Sequence, residues 1–307
     1  MIRPRLRIPR AGSLLRRRPA IQAPLQFHPY HTVPVLQQFR NVEEGVPGLL
    51  SPEGFQMAWT EYIEFVLNKL NNLTAQTEFE EKEVHQIVKE TARQPSQAPT
   101  FNYASMAYNH NFFFENLARL QPAEEGRPVE EVGLLPVAMP AKIKNDIELK
   151  FGSVETLRRE MIATADAMFG PGYVWLVKPV RSSAFRILPT YLAGTPFTAG
   201  HWRRQGLDMN VHGFGAAPQG YSVDDSALQY VNRQQVGAGN SDVGRFDNRA
   251  NAPGATEVIP LLCVSTWQHV YLRDWGVAGK RQYLEAWWDC IDWNKVDSLS
   301  HQNVSFK

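Results

Sequence analysis

Residue types able to do covalent or metal chemistry are sparse in this sequence. Its two cysteines, Cys263 and Cys290, stand alone in apolar stretches. Two isolated thiols make neither a disulfide framework nor a zinc spacing, and the pattern reads as buried, reduced cysteine in a reducing compartment. No glycine-rich phosphate loop or dinucleotide fingerprint stands between a strand and a helix, and no Gly-x-Ser-x-Gly elbow occurs. Gly213-Phe214-Gly215 is loop composition, and the carboxylate pair Asp224/Asp225 lies in a polar stretch that suits a solvated turn. His85 is surrounded by Glu81, Lys82, Glu83, Lys89 and Glu90, which suits a solvated helix face. Aromatic clusters remain. Phe112-Phe113-Phe114 and Trp287-Trp288 read as core or interface, with base stacking on RNA as the sharper alternative.

Basic residues gather at the start. Residues 1–42 hold eight arginines, no lysine and no acid, Glu43 being the first carboxylate. Taking those eight from the overall +1 leaves −7 on the remainder, so the body lacks a nucleic-acid footprint. Arg3, Arg5, Arg7, Arg10, Arg16, Arg17 and Arg18 are interleaved with Ile2, Leu6, Ile8, Leu14 and Leu15. Arg-rich, acid-free segments match mitochondrial transit peptides. A retained arm that touches RNA phosphates is the alternative, and the two are compatible. Pro24, Pro29 and Pro34 make residues 20–42 an extended connector.

The elements that would position any site follow from periodicity. Ser51-Pro52 is a helix start, and Phe55, Trp59, Tyr62, Val66, Leu70 and Leu73 form one apolar stripe behind it. Residues 77–92 are charged and predicted helical. A second long helix is expected from about Asn102 to Leu120, paired with the first as an antiparallel hairpin. After a polar segment at roughly 121–134, helices are expected at 140–150 and 153–168, then strands at Tyr173–Lys178, Phe185–Leu188 and Val258–Val264. Leu284–Trp293 is read as a closing helix. A stretch at about 190–257, rich in Gly, Asn, Asp, Gln and Ser, is a long insertion, functional or disordered. The class is α+β: a helical hairpin over 43–135, then an α/β domain over 136–307 with a small antiparallel sheet flanked by helices. No run of about 18 apolar residues occurs, so no transmembrane helix is expected.

Four segments together resemble the iron/manganese superoxide dismutases. That family's Phe-Asn-x-Ala-x-Gln-x-x-Asn-His helix is matched by Phe101-Asn102-Tyr103-Ala104-Ser105-Met106-Ala107-Tyr108-Asn109-His110. Its Phe-Gly-Ser is matched by Phe151-Gly152-Ser153, and its Gly-x-Gly-Trp-x-Trp-Leu strand by Gly170-Pro171-Gly172-Tyr173-Val174-Trp175-Leu176. Its Pro-Leu-Leu-x-x-Asp-x-Trp-Glu-His-Ala-Tyr segment is matched by Pro260 to Tyr271, and its later Tyr and Trp pattern by Tyr283, Trp288 and Trp293. The match covers most of residues 48–296.

The resemblance implies a redox metal held by three His and one Asp, in keeping with iron and manganese preferences. Here the four positions read Ala58, His110, Ser265 and His269. Trp59, Tyr62 and Ile63 stand at the other histidines of the first helix, and Val66 at its gateway tyrosine. Met106 replaces the outer glutamine, and Gln268 the interface glutamate that steadies a ligand histidine. Methyl and protonated hydroxyl groups do not replace a histidine and a carboxylate, so no cofactor and no dismutation are expected. His110 and His269 then read as buried, hydrogen-bonded histidines in the metal's place, with a residual metal role as the alternative.

Among such proteins, the superoxide-dismutase-like members of fungal mitochondrial small ribosomal subunits share an import segment, a degraded ligand set and insertions. The resemblance therefore implies a structural ribosomal protein of the mitochondrial matrix. Its partners would be ribosomal proteins, including a paired homologue facing Tyr62, Gln268, His269 and Tyr271. It also implies limited rRNA contact through Arg203, Arg204 and Arg245 of the insertion, unless that loop is simply solvated. A divergent matrix dismutase with a rebuilt metal site, and a non-ribosomal matrix binding protein, are the competing readings.

Overall fold

A computed structural model gives the structure of residues 30–39, 44–92, 94–122, 134–180, 184–197 and 257–301. Ser51 starts the first helix as expected: its hydroxyl accepts from the Gly54 N–H, with Pro52 in the first turn. Asp274 locks this corner by accepting from the Ser51 N–H at 2.9 Å and its hydroxyl at 2.6 Å. The helix, α1, runs as Pro52–Phe55, a π-helical turn Gln56–Glu61, and Tyr62–Thr74. Phe55, Trp59, Val66 and Leu70 are buried as the stripe predicts. Beyond the wide turn the inward face ends on Asn71 and Thr74, leaving Leu73 outside.

The charged helix is shorter than predicted, running as α2 over Val84–Thr91. Local side-chain bonds take the backbone before it. The Gln76 N–H donates to Glu80 and the Phe79 N–H to the Thr77 hydroxyl, which competes with helix formation. The next helix, α3, spans Ala98–Glu115, starting earlier than Asn102 because Pro99 suits a first turn. It stops before Leu120 because the Asn116 amide caps the Phe112 carbonyl at 2.7 Å. Phe101 and Phe112 to Phe114 are buried, and Tyr103 and Tyr108 pack against the core from half-buried positions. Helices α1 and α3 run antiparallel. Phe55 meets Phe114, Trp59 meets His110 and Phe65 meets Tyr103, so one series rises as the other falls.

The segment before α1 is built into this pair. Asn71 clamps His31 on both sides: its carbonyl oxygen accepts from the His31 N–H at 3.0 Å and its amide donates to the His31 carbonyl at 2.8 Å. Leu36 and Phe39 are buried, and the Gln38 amide donates to the carbonyls of Phe114 and Leu117 at the end of α3.

The described ends of the polar segment pair as β1, Gln121–Pro122, and β2, Leu134–Leu135. Then come α4, Ala141–Phe151, and α5, Val154–Ala167, the latter capped by the Ser153 hydroxyl. The sheet has β3, Gly172–Pro179, in the centre, with β4, Arg186–Tyr191, and β5, Val258–Ser265, antiparallel on either side. The expected closing helix is divided. After α6, Gln268–Trp275, α7 covers Lys280–Asp289 and α8 covers Trp293–Ser300. Ile291 leaves the helix to bridge Leu117, and the Asp292 carboxylate caps α8. The α+β class is the one the sequence predicts. Most of the insertion, residues 198–256, lies outside the described residues.

Replacing Asn71 with Ala should leave the buried His31 N–H and carbonyl unpaired, at about 2–4 kcal/mol in all. Thermal unfolding should register this as a clearly lower midpoint, whereas an unchanged midpoint would show that the segment from residue 30 does not rest on the body.

Candidate functional site

The four positions of interest are carried by α1, α3, the end of β5 and the start of α6. Ala58 lies in the π-helical turn and is fully buried. Such turns redirect backbone groups out of the regular ladder and often mark functional positions. Here the Ala58 carbonyl faces α3, and His110 Nε2 donates to it at 2.5 Å. That bond fixes the tautomer: Nε2 carries the proton and Nδ1 keeps its lone pair. The Tyr173 hydroxyl lies 3.5 Å from Nδ1, in the neighbourhood of the Ser265 side chain. Tyr173 and Ser265 are opposite one another in the β3–β5 ladder, so the sheet register sets this contact. The Ser265 hydroxyl accepts from the Trp267 N–H, and its carbonyl accepts from the Tyr283 hydroxyl at 3.0 Å.

His269 is held differently. Its ring stacks on Tyr62 with centroids 3.9 Å apart and planes at 21°, and lies 5.4 Å from the His110 ring. Its Nε2 has no hydrogen-bond partner. The expectation of two hydrogen-bonded histidines therefore holds for His110, while His269 is seated by its neighbours' rings. Tyr62 also approaches His110, at 4.8 Å between centroids, so the phenol and the two imidazoles form one triangle of touching rings.

Burial sets the charge state. It pushes His110 down to about 3, helped by the nearby His269 and opposed by the Ala58 carbonyl. Burial likewise brings His269 down to about 4 and raises the Tyr62 phenol to about 12, with Tyr103 adding to the latter. Both imidazoles are thus neutral near pH 7. The Cys263 and Cys290 thiols are raised by burial, Cys290 to about 12, so neither is a thiolate.

This donor set does not fit iron or manganese. Among the described residues no three of His, Cys, Asp and Glu come together. Ala58 offers a carbonyl already bonded to His110, Ser265 offers a hydroxyl engaged with the Trp267 N–H, and the carboxylate is gone. His110 could ligate through Nε2 only by shifting its proton to Nδ1 and giving up the bond to the Ala58 carbonyl. Met106 is buried, and Gln268 is exposed.

The structure brings Ala58, His110 and His269 into one cluster, with Ser265 joined through Tyr173. Tyr173 has a larger part than the sequence suggested. Its signal was the tyrosine in place of the first tryptophan of the Gly-x-Gly-Trp-x-Trp motif, which puts a hydroxyl where an indole stood. Of the interface candidates, Gln268 is exposed, Tyr62 and His269 are half-buried, and Tyr271 is buried against Tyr283. Arg203, Arg204 and Arg245 lie outside the described residues. Phe112 to Phe114 and Trp287/Trp288 are core residues, which removes base stacking as their role.

The description of the iron/manganese superoxide dismutases, C-terminal domain, matches residues 139–214 and 227–299. Small ribosomal subunit protein mS43 of Schizosaccharomyces pombe is 28% identical over 270 residues, covering 87% of this chain and 83% of that protein. Small ribosomal subunit protein mS42 of the same organism is 29% identical over 212 residues, covering 69% of this chain and 71% of that protein. An iron superoxide dismutase of Campylobacter coli is 30% identical over 149 residues, covering 48% of this chain and 62% of that protein.

The neutral histidines predict an acid-sensitive fold. Free histidine titrates at about 6.5, so below that pH the unfolded chain takes up protons that the native chain refuses. The contribution is complete above pH 6.5 and is lost as pH falls toward about 3 to 4. Each histidine should cost at most about 1.4 kcal/mol per pH unit in that window. Thermal melts at pH 7 and pH 5 should therefore converge in a His269→Gln variant relative to the parent. Identical pH slopes would mean that His269 takes up its proton in the folded chain as readily as in the unfolded one.

Proposed function

The chain carries the C-terminal domain of the iron/manganese superoxide dismutases, and on that premise we propose that it is a structural component of the small subunit of a mitochondrial ribosome. The loss of dismutase chemistry rests on one observation: the Nε2 proton of His110 is committed to the Ala58 carbonyl, in a cluster that has no carboxylate. Dismutation needs a metal that alternates between two oxidation states, and these donors do not hold one. The ribosomal part draws on the likeness to mS43, which extends over 87% of this chain and therefore well beyond the dismutase domain.

The arginine-rich start suits import into the mitochondrial matrix. The net −7 beyond residue 42 suits a position with mainly protein neighbours, with rRNA contact limited to residues such as Arg203, Arg204 and Arg245. The hairpin over 43–135 and the α/β domain over 136–307 act as one scaffold in this reading, and the insertion at about 190–257 is a docking arm. A paired homologue would meet the face carrying Tyr62, Gln268, His269 and Tyr271. Among the described residues no helix is long and apolar enough to cross a membrane.

In a sucrose gradient of mitochondrial lysate the chain should travel with the small ribosomal subunit and stay with it when low magnesium separates the subunits. A position near the top of the gradient would sink the ribosomal role and favour a free matrix binding protein.

The likeness to iron superoxide dismutases keeps a rebuilt dismutase as the second reading. Purified from its native source, the chain should carry manganese and iron at well under a tenth of an atom per chain by elemental mass spectrometry. Metal near one per chain would revive the enzyme.

A further inference from the structure

Strand β4 ends on Tyr191, opposite Gly172, and β5 starts on Val258, opposite Pro179. The chain between them has to pass from one end of β3 to the other and from one flank to the other. A direct extended path of that span needs only about ten residues, and the sequence supplies 192–257. The start of this connection is held by α3. The Ser105 hydroxyl donates to the Ala193 carbonyl at 2.6 Å, and the Asn109 amide donates to the Gly194 carbonyl at 2.8 Å and to the Ser105 oxygen at 3.4 Å. Both residues are fully buried. Serine and asparagine do little for a helix interior, and this pair, one turn apart, turns its polar groups to backbone outside α3.

The turn they meet is tied at successive residues. The Leu192 N–H donates to the Pro171 carbonyl at 2.9 Å, and the Gly194 N–H to the Tyr191 carbonyl at 2.8 Å. Leu192 has a φ of 52°, in the left-handed region that leucine occupies at a cost. Gly194 has no room for a side chain, since a Cβ would lie 2.9 Å from the Tyr191 carbonyl oxygen. Thr195 is fully buried, and the Phe197 ring packs on Tyr108 with centroids 4.9 Å apart. The Lys89 ammonium of α2 lies over the same Phe197 ring, 5.2 Å from its centroid.

We propose that Ser105 and Asn109 are the positioning residues of the insertion. They latch its outgoing root, Leu192–Phe197, to α3, so that the insertion leaves the body from one fixed point on the α2–α3 face, beside Lys89 and Tyr108. A left-handed leucine persists only where the surroundings over-determine it. Removing the two side-chain donors frees the carbonyls of Ala193 and Gly194 and lets the turn open, while helices and sheet keep their own ladders. The consequence for function rests on the docking-arm reading above: an arm rooted at one point loses less freedom when it meets its neighbour.

The test is amide hydrogen exchange on the full-length chain, read by mass spectrometry on peptides covering Tyr191–Phe197, with β3 as the internal reference. In the parent the Leu192 and Gly194 amides should exchange far more slowly than in a free peptide. Ser105→Ala combined with Asn109→Ala should speed their exchange at least about tenfold while Val174 to Val177 keep their protection. Free-peptide rates in the parent, or an unchanged root in the double variant, overturn the latch. If the double variant also loses protection in β3, Ser105→Ala alone decides: faster exchange confined to the root supports the latch, and no change overturns it. In the sucrose gradient the folded variant should leave the small subunit several-fold more than the parent does. Equal retention overturns the latch's part in docking, whereas a parent near the top of the gradient overturns the ribosomal reading and leaves the latch to the exchange rates.

Discussion

A buried imidazole N–H has to be satisfied, and inside this protein the Ala58 carbonyl is what satisfies it. That one bond joins α1 to α3 at the centre of the molecule and decides the chemistry of everything around it. It exists because the first helix widens into a π turn at Gln56–Glu61 and because an alanine there leaves its carbonyl uncovered. With Nε2 acting as donor, Nδ1 becomes the acceptor, and the Tyr173 hydroxyl on β3 comes to face it. Tyr173 in turn meets Ser265 across the sheet. Neutral polar contacts therefore run from the helical pair to the sheet, Ala58 to His110 to Tyr173, through the place where the dismutase resemblance would put a cation and its carboxylate.

The same constraint explains why Tyr62 and His269 stack. Two unpaired imidazoles in a closed space would demand water or a metal. A phenol ring packed against both meets that demand with dispersion and shape, and leaves Nε2 of His269 and the adjacent Trp267 indole N–H without a partner. The cluster is neutral throughout, which suits its burial. One charged member would cost several kcal/mol without a counter-charge, and none of the described acids reaches the cluster.

Much of this was legible in the sequence, for reasons that differ by element. The apolar stripe of α1, the helix start at Ser51-Pro52 and the three strands are local patterns, and they fall nearly where periodicity puts them. Helix ends were less legible, because they depend on single contacts: Asn116 folding back on Phe112 ends α3, and Asp292 capping Asn294 and Lys295 starts a helix inside the expected closing one. The ligand positions could be read from motif spacing, but the π turn could not, since a one-residue widening leaves no mark on composition. Nor could the role of Tyr173, whose hydroxyl matters only once the β3–β5 register sets it opposite Ser265.

A metal site usually ties its elements together, so its loss raises the question of what ties them now. Here the answer is a set of polar clamps at long sequence separation. Asp274 of α6 holds Ser51, the Trp275 indole donates to the Leu49 carbonyl at 2.9 Å, and Lys295 of α8 pairs with Glu115 of α3 at 2.5 Å. Gly54 is part of the same arrangement: a Cβ there would lie 2.0 Å from an Asp274 carboxylate oxygen, so the absence of a side chain is what leaves room for the carboxylate that holds Ser51. These clamps sit at the rim of the α1, α3 and α6 contact, outside the His110 cluster. They hold the frame from its edge, while the bond between His110 and Ala58 holds it at the centre.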